Sequence, residues 1–152
     1  MKKRIIILFI FFITGVHYAQ VFSGTTTAQF LKIEVGAKAI ATGGAFVALA
    51  NDASALYWNP AGISGLQNNL VTFTHTYWFA NTSHDFAGLI LKLGRNHSIG
   101  ISYTSLSYGD MRVRTEIYPE GTGEYFSAND YALGLSYGFN LTDQFSMGFT
   151  YL

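Results

Sequence analysis

Apolar and polar residues alternate with a period of two over most of the chain from Leu70 to Leu152. From Leu70 to Phe79, Val71, Phe73, His75, Tyr77 and Phe79 fall on one side and Thr72, Thr74 and Thr76 on the other, ending at Trp78. The segment from Phe86 to Leu93 sets Ala87, Leu89, Leu91 and Leu93 against Phe86, Gly88, Ile90 and Lys92. Ser98 to Ser107 sets Ile99, Ile101 and Tyr103 against Ser98, Gly100, Ser102 and Thr104. Asp130 to Phe139 sets Tyr131, Leu133, Leu135, Tyr137 and Phe139 against Ala132, Gly134, Ser136 and Gly138. Gln144 to Leu152 sets Phe145, Met147, Phe149 and Tyr151 against Ser146, Gly148 and Thr150. Successive side chains of a strand point to opposite faces, so the pattern predicts five two-faced strands. Asn81–Asp85, Gly94–His97 and Asn140–Asp143 read as short turns. Tyr108–Asn129 reads as a longer polar loop with room for a β-ribbon of its own.

Half-buried strands of soluble proteins also alternate, so the chemistry of the two faces matters. The apolar side carries aromatic residues near the strand ends, as an aromatic girdle does. The other side is Gly, Ser, Thr and Ala rather than Lys and Glu, which suits a polar lumen or a plug packed against it. Strand lengths of about 9–11 residues fit tilted membrane strands. The predicted fold class is all-β: the N-terminal part of an antiparallel transmembrane β-barrel. Membrane barrels need about eight strands or more, so residues 67–152 are expected to form the first five strands of a longer barrel. With the chain entering from the periplasm, the turns near 94–97 and 140–143 fall on the periplasmic side and the 108–129 loop outside. A soluble secreted β-protein is the alternative on pattern alone.

The residues before the strands read differently. Residues 1–19 are predicted to be a signal peptide: Lys2, Lys3 and Arg4, an apolar run from Ile5, and a cleavage site after Ala19. Residues 20–66 form a lead-in followed by a small-residue segment, Gly36 to Gly62. Gly36, Gly43 and Gly44 weaken any long helix there. Asp52 is the expected N-cap of a short helix over Ala53–Trp58, which Pro60 ends by biasing Asn59 away from helical angles. So many small residues predict close packing against other backbone in a confined space.

The motifs Gly36-Ala-Lys-Ala, Gly43-Gly-Ala-Phe-Val-Ala48, Asp52-Ala-Ser-Ala55 and Trp58-Asn-Pro-Ala-Gly62 resemble the N-terminal signature of the PorV/PorQ family. Those are outer-membrane β-barrels related to FadL-type channels for hydrophobic compounds. Tyr108-Gly-Asp, Thr115-Glu116 and Pro119 to Ala128 resemble the family's long loop, and Asn51 stands where the family often has a second Asp. The resemblance implies a barrel of about fourteen strands when complete. It also implies a plug or hatch in which Gly43, Gly44, Asp52, Asn59, Pro60 and Ala61 are the candidate site residues. The implied role is a component of type IX protein secretion or envelope assembly. The alternative is FadL-like uptake of long-chain fatty acids or other hydrophobic compounds. Expected partners are outer-membrane lipid, secretion-system proteins or hydrophobic small molecules, and the expected location is the bacterial outer membrane.

Composition narrows the rest. Charged residues make up 12% of the chain and aromatics 16%, and without residues 1–19 there are six basic and nine acidic groups, a weakly acidic balance that offers nothing to nucleic acid. There is no cysteine, and hence no thiolate chemistry or disulfide framework. His75 lies alone on a strand, while His84 and His97 fall in predicted turns, at no metal-binding spacing. No GxSxG or phosphate-loop pattern occurs, so the chain is expected to be non-enzymatic and to carry no cofactor or metal.

Overall fold

A computed structural model describes residues 27–152. The signal peptide predicted at 1–19 and the first part of the lead-in lie outside the described residues. The strands are β1 (Leu70–Tyr77), β2 (Ser83–Lys92), β3 (His97–Arg112), β4 (Tyr125–Thr142) and β5 (Phe145–Tyr151). They form one antiparallel meander in chain order, an open sheet with β1 and β5 at its edges.

All five predicted strands are present, and several ends differ from expectation. β2 starts at Ser83, not Phe86: Ser83, His84 and Asp85 pair with Tyr77, Thr76 and His75. His84 therefore sits on a strand and not in a turn, and the connection is Trp78–Thr82. Ala80 and Asn81 take the left-handed conformation there, closing the hairpin with Trp78 N–H donating to the Thr82 carbonyl. β3 runs on to Arg112 and β4 begins at Tyr125, so the two ends of the polar segment pair as a ribbon and residues 113–124 form the loop at its tip. Its register shifts between Ser107 and Asp110, where Gly109 has φ 66°. β4 continues to Thr142, which shrinks the last turn to Asp143 and Gln144. In each case a polar strand end outside the apolar stretch reads as loop, because backbone pairing continues where the apolar pattern stops.

The faces are inverted relative to a water-soluble sheet. Phe73 is 70% exposed and Leu133 61%, whereas Ser98 is 0% and Ser136 4% exposed. Register lines the outer side chains up in rows: Phe73, Ala87, Tyr103 and Leu133; Val71, Leu89, Ile101, Leu135 and Tyr151; Leu91, Ile99, Tyr137 and Phe149. Along β4, Tyr131 to Phe139 covers about 26 Å of strand at about 3.3 Å per residue. With a tilt of about 40° that is about 20 Å of height, close to the apolar band of a membrane barrel.

The other face is covered by the chain's own residues 28–66. They form a 3₁₀ turn at Gln29–Lys32, helix α1 (Ala37–Ala41), helix α2 (Ala55–Trp58) and a 3₁₀ helix at Pro60–Gly65. The core lies between this segment and the inner face: Val35, Ala50, Ala53, Ala55, Leu56, Ile63 and Leu66 pack with Phe86 and Ile90.

Candidate functional site

The segment is a chain of short elements because its breakers are closely spaced. Helix α1 ends at two left-handed glycines, Gly43 (φ 65°) and Gly44 (φ 76°). The Gly44 N–H donates to the Ala39 carbonyl and the Gly43 N–H to that of Ile40, which satisfies two carbonyls that a helix end leaves open. A side chain at Gly43 would meet open space, so the cost of one there is purely conformational. Gly43→Ala is expected to lower stability by about 1–2 kcal/mol without disturbing packing, read as a lower unfolding midpoint.

Asp52 stands two residues before the helix N-cap, Ser54, and is not the N-cap itself. Its Oδ1 accepts from the Ser54 N–H (2.9 Å) and the Ser54 hydroxyl (2.5 Å), and α2 begins only at Ala55. The side chain closes a turn into the helix, because the Ser54 N–H is the donor in reach. Helix α2 ends at Asn59, as Pro60 requires.

Asn59 joins two parts of the segment. Its Oδ1 accepts from the Ala61 N–H (3.1 Å), capping the 3₁₀ helix, and its Nδ2 donates to the Val47 carbonyl (3.0 Å). Trp58 Nε1 donates to the Val35 carbonyl (2.8 Å), tying α2 to the start of the segment. Asn59→Ala removes both of its bonds and is expected to cost about 1–2 kcal/mol, measured as a fall in the unfolding midpoint that Asn59→Asp recovers in part.

The segment rests on bare sheet backbone. A Cβ at Gly88 would lie 2.8 Å from Leu56 Cδ1, and one at Gly100 would collide with Leu56 Cδ2. Toward the short-turn end, a Cβ at Gly138 would lie 2.7 Å from Ile63 Cγ1 and 2.8 Å from the Pro60 oxygen. A Cβ at Gly148, the cross-strand partner of Gly138, would collide with the Pro60–Ala61 peptide. Leu56 thus fills a dent over two strands, and the Asn-Pro-Ala turn lies on a glycine pair. These four glycines matter for the missing Cβ and not for backbone freedom.

Polar bonds close the short-turn end. Lys92 Nζ donates to the Ser64 carbonyl (2.7 Å), which also accepts from Asn140 Nδ2 (3.3 Å). The Ser64 hydroxyl lies 2.5 Å from Asn140 Oδ1, and Ser146 Oγ donates to the same oxygen (2.8 Å). The ammonium thus answers a carbonyl that the end of a helix leaves open. Burial pushes the Tyr57 phenol above its ordinary pKa, and the Glu34 carboxylate adds to the shift, so Tyr57 stays neutral.

Of the predicted site residues, Pro60 and Ala61 lie against the sheet at Gly138 and Gly148, while Asn59 bonds within the segment, to Ala61 and Val47. Gly43 and Gly44 lie apart from the sheet at the end of α1, and Asp52 shapes the approach to α2. Sequence reasoning missed the receiving side: Gly88, Gly100, Gly138 and Gly148, with Lys92 and Asn140. The available signal was glycine recurring at inner positions of alternating strands. The histidines do not converge: His75 pairs with Asp85, His97 Nδ1 meets the Tyr137 hydroxyl (2.7 Å), and His84 is buried with no partner for Nε2 among the described residues. No three His, Asp or Glu side chains come together among the described residues. An apolar cavity of about 350 Å³ lies between the segment and the inner wall, lined by Leu31, Leu56, Tyr57, Trp58, Phe86 and Leu152 among others.

The family model for the type IX secretion system protein PorV matches residues 18–152. No curated protein and no solved structure matches the chain.

Proposed function

The chain belongs to the PorV family of type IX secretion system proteins, and on that premise we propose that it forms a plugged wall of an outer-membrane β-barrel serving protein export. The observation that carries this reading is the inversion of the sheet. Most of its apolar side chains face outward, and its Ser-, Thr- and Gly-rich side is buried under residues 28–66. In water the outward face would be a large aggregation hazard; against acyl chains it is the stable arrangement. Residues 28–66 act as the plug, with Pro60 and Ala61 seated on the sheet at the periplasmic end and Asn59 holding their turn. Gly43, Gly44 and Asp52 keep the connecting turns in shape. The protein works by binding and positioning, not by catalysis, and its partners are outer-membrane lipid and other secretion proteins. The export segment at 1–19 delivers it through the inner membrane.

The full-length protein is expected in the outer-membrane fraction, with gel migration that changes on heating. Recovery in the soluble periplasm with unchanged migration would overturn the barrel reading. Deletion of the gene is expected to block type IX export while long-chain fatty-acid uptake stays normal. Lost uptake with normal export would favour a hydrophobic-compound channel instead.

A further inference from the structure

β3 outruns its neighbour at the ribbon end. Its pairing with β2 stops at Ser107, opposite Ser83, while its pairing with β4 goes on to Arg112. Next in the chain, the Val113 N–H donates to the Glu124 carbonyl (2.9 Å), and the Val113 carbonyl accepts from the Thr122 N–H (2.8 Å). Val113 thus turns both its groups toward the strand that returns. Backbone groups of successive residues in an antiparallel strand point to opposite edges. Arg112 and Asp110 therefore turn theirs to the edge that β2 has left. No backbone group meets them there among the described residues. The Trp78–Thr82 turn closes off the start of this edge, with the Asn81 oxygen 2.9 Å from where a Cβ of Gly109 would lie. Beside the edge lies an apolar cleft of about 450 Å³, lined by Phe30, Ile33, Trp78, Leu106, Tyr108 and Met111 among others. Met111 is on the cleft side, so Asp110 and Arg112, before and after it in the strand, project from the opposite face.

We propose that this edge and cleft receive one extended strand of a partner protein. The proposal rests on the membrane reading above, which puts the ribbon outside the bilayer. The open N–H and C=O groups of Asp110 and Arg112 select the occupant's backbone. An antiparallel strand answers all four at once, whereas a helix or an acyl chain has no free backbone groups to offer them. In that register the residue opposite Met111 turns its side chain to the cleft side, so an apolar residue is favoured there. Its two neighbours stand opposite Arg112 and Asp110, where an acidic and a basic residue are favoured in turn. Read along the incoming strand, the order is acidic, apolar, basic. The same two charges keep the edge from joining any passing apolar strand.

Two fluorescent peptides test this on the full-length protein in detergent, read by polarisation. One carries Glu-Leu-Lys flanked by threonines, and the other carries Lys-Leu-Glu in the same frame. The first is expected to bind about fivefold more tightly, the scale of two exposed charge pairs. Exchanging the charges on the protein, Asp110→Lys with Arg112→Glu, should reverse the order. Arg112→Pro removes an edge-facing N–H that the ribbon itself does not use, and should weaken the first peptide about tenfold. Glu120→Gln, in the tip loop, should change nothing. Heat-modifiable migration checks that each variant folds. Equal binding of the two peptides by the wild type, or an unreversed order in the folded charge-exchanged protein, would overturn the proposal. So would binding that emerges only once residues 20–26 are removed, since the chain's own lead-in would then compete for the edge. A protein that needs detergent and binds neither peptide overturns this proposal alone. One that stays dispersed without detergent overturns the membrane reading and this proposal with it.

Discussion

Gly148→Leu is expected to unseat residues 28–66 from the sheet at their Asn-Pro-Ala turn. A Cβ at Gly148 would lie 2.6 Å from the Pro60 oxygen and closer still to the Ala61 nitrogen. These are backbone atoms inside a capped 3₁₀ helix, so they cannot swing aside as the end of a side chain can. Overpacking a well-filled interior costs about 1–3 kcal/mol when side chains can adjust, and this site lacks that adjustment. The expected result is a fall of at least about 3 kcal/mol in stability or release of residues 28–66 from the wall. A protease added to purified protein should then cut within residues 28–66 while the strands stay intact. Gly65→Ala is the control: its Cβ would meet nothing, and its stability should change by less than about 0.5 kcal/mol. Equal protease resistance of Gly148→Leu and wild type would show that the segment does not rest on this glycine pair.

Leu56→Ala is expected to be the most costly truncation in residues 28–66. Leu56 is 3% exposed and its two methyl groups reach over Gly88 and Gly100. The wall at that point is backbone, which cannot collapse into the space left behind. The loss should fall in the range of about 2–5 kcal/mol, transfer and cavity terms together. A double substitution separates this contact from general softening. Gly100→Ala alone collides with Leu56 Cδ2 and should destabilise. In the Leu56→Ala background the added methyl group has room and recovers part of the lost packing. The double variant should therefore be more stable than the sum of the single losses by about 1 kcal/mol or more. Simple additivity in urea unfolding would mean that the two residues do not meet.

The two faces of each strand were legible because period-two alternation fixes facing once a segment is a strand. Phe73 and Leu133 outward, and Ser98 and Ser136 inward, are where that rule places them. The packing of the segment before the strands was legible from its small residues, and the short helix ending at Trp58 from Pro60. Strand ends were less legible. Ser83, His84 and Asp85 look like turn residues, and only their pairing with β1 makes them strand. The seat itself was beyond reach, because it joins residues far apart in the chain, such as Leu56 with Gly100 and Pro60 with Gly148. Local propensity carries no information on which residue of the segment meets which strand. Asp52 shows the same limit at short range: a capping residue was visible, but its actual donor, the Ser54 N–H, was set by the turn before the helix.

The inversion of the sheet is the central claim, and the absence of cysteine lets single labels test it. A fluorophore on a cysteine at Leu133, on the outer face of β4, can be compared with one at its inner-facing neighbour Ala132. With the full-length protein reconstituted in bilayers containing brominated lipid, the label at 133 should be strongly quenched and the label at 132 nearly unquenched. Equal quenching at the two positions, or stronger quenching at 132, would contradict the account.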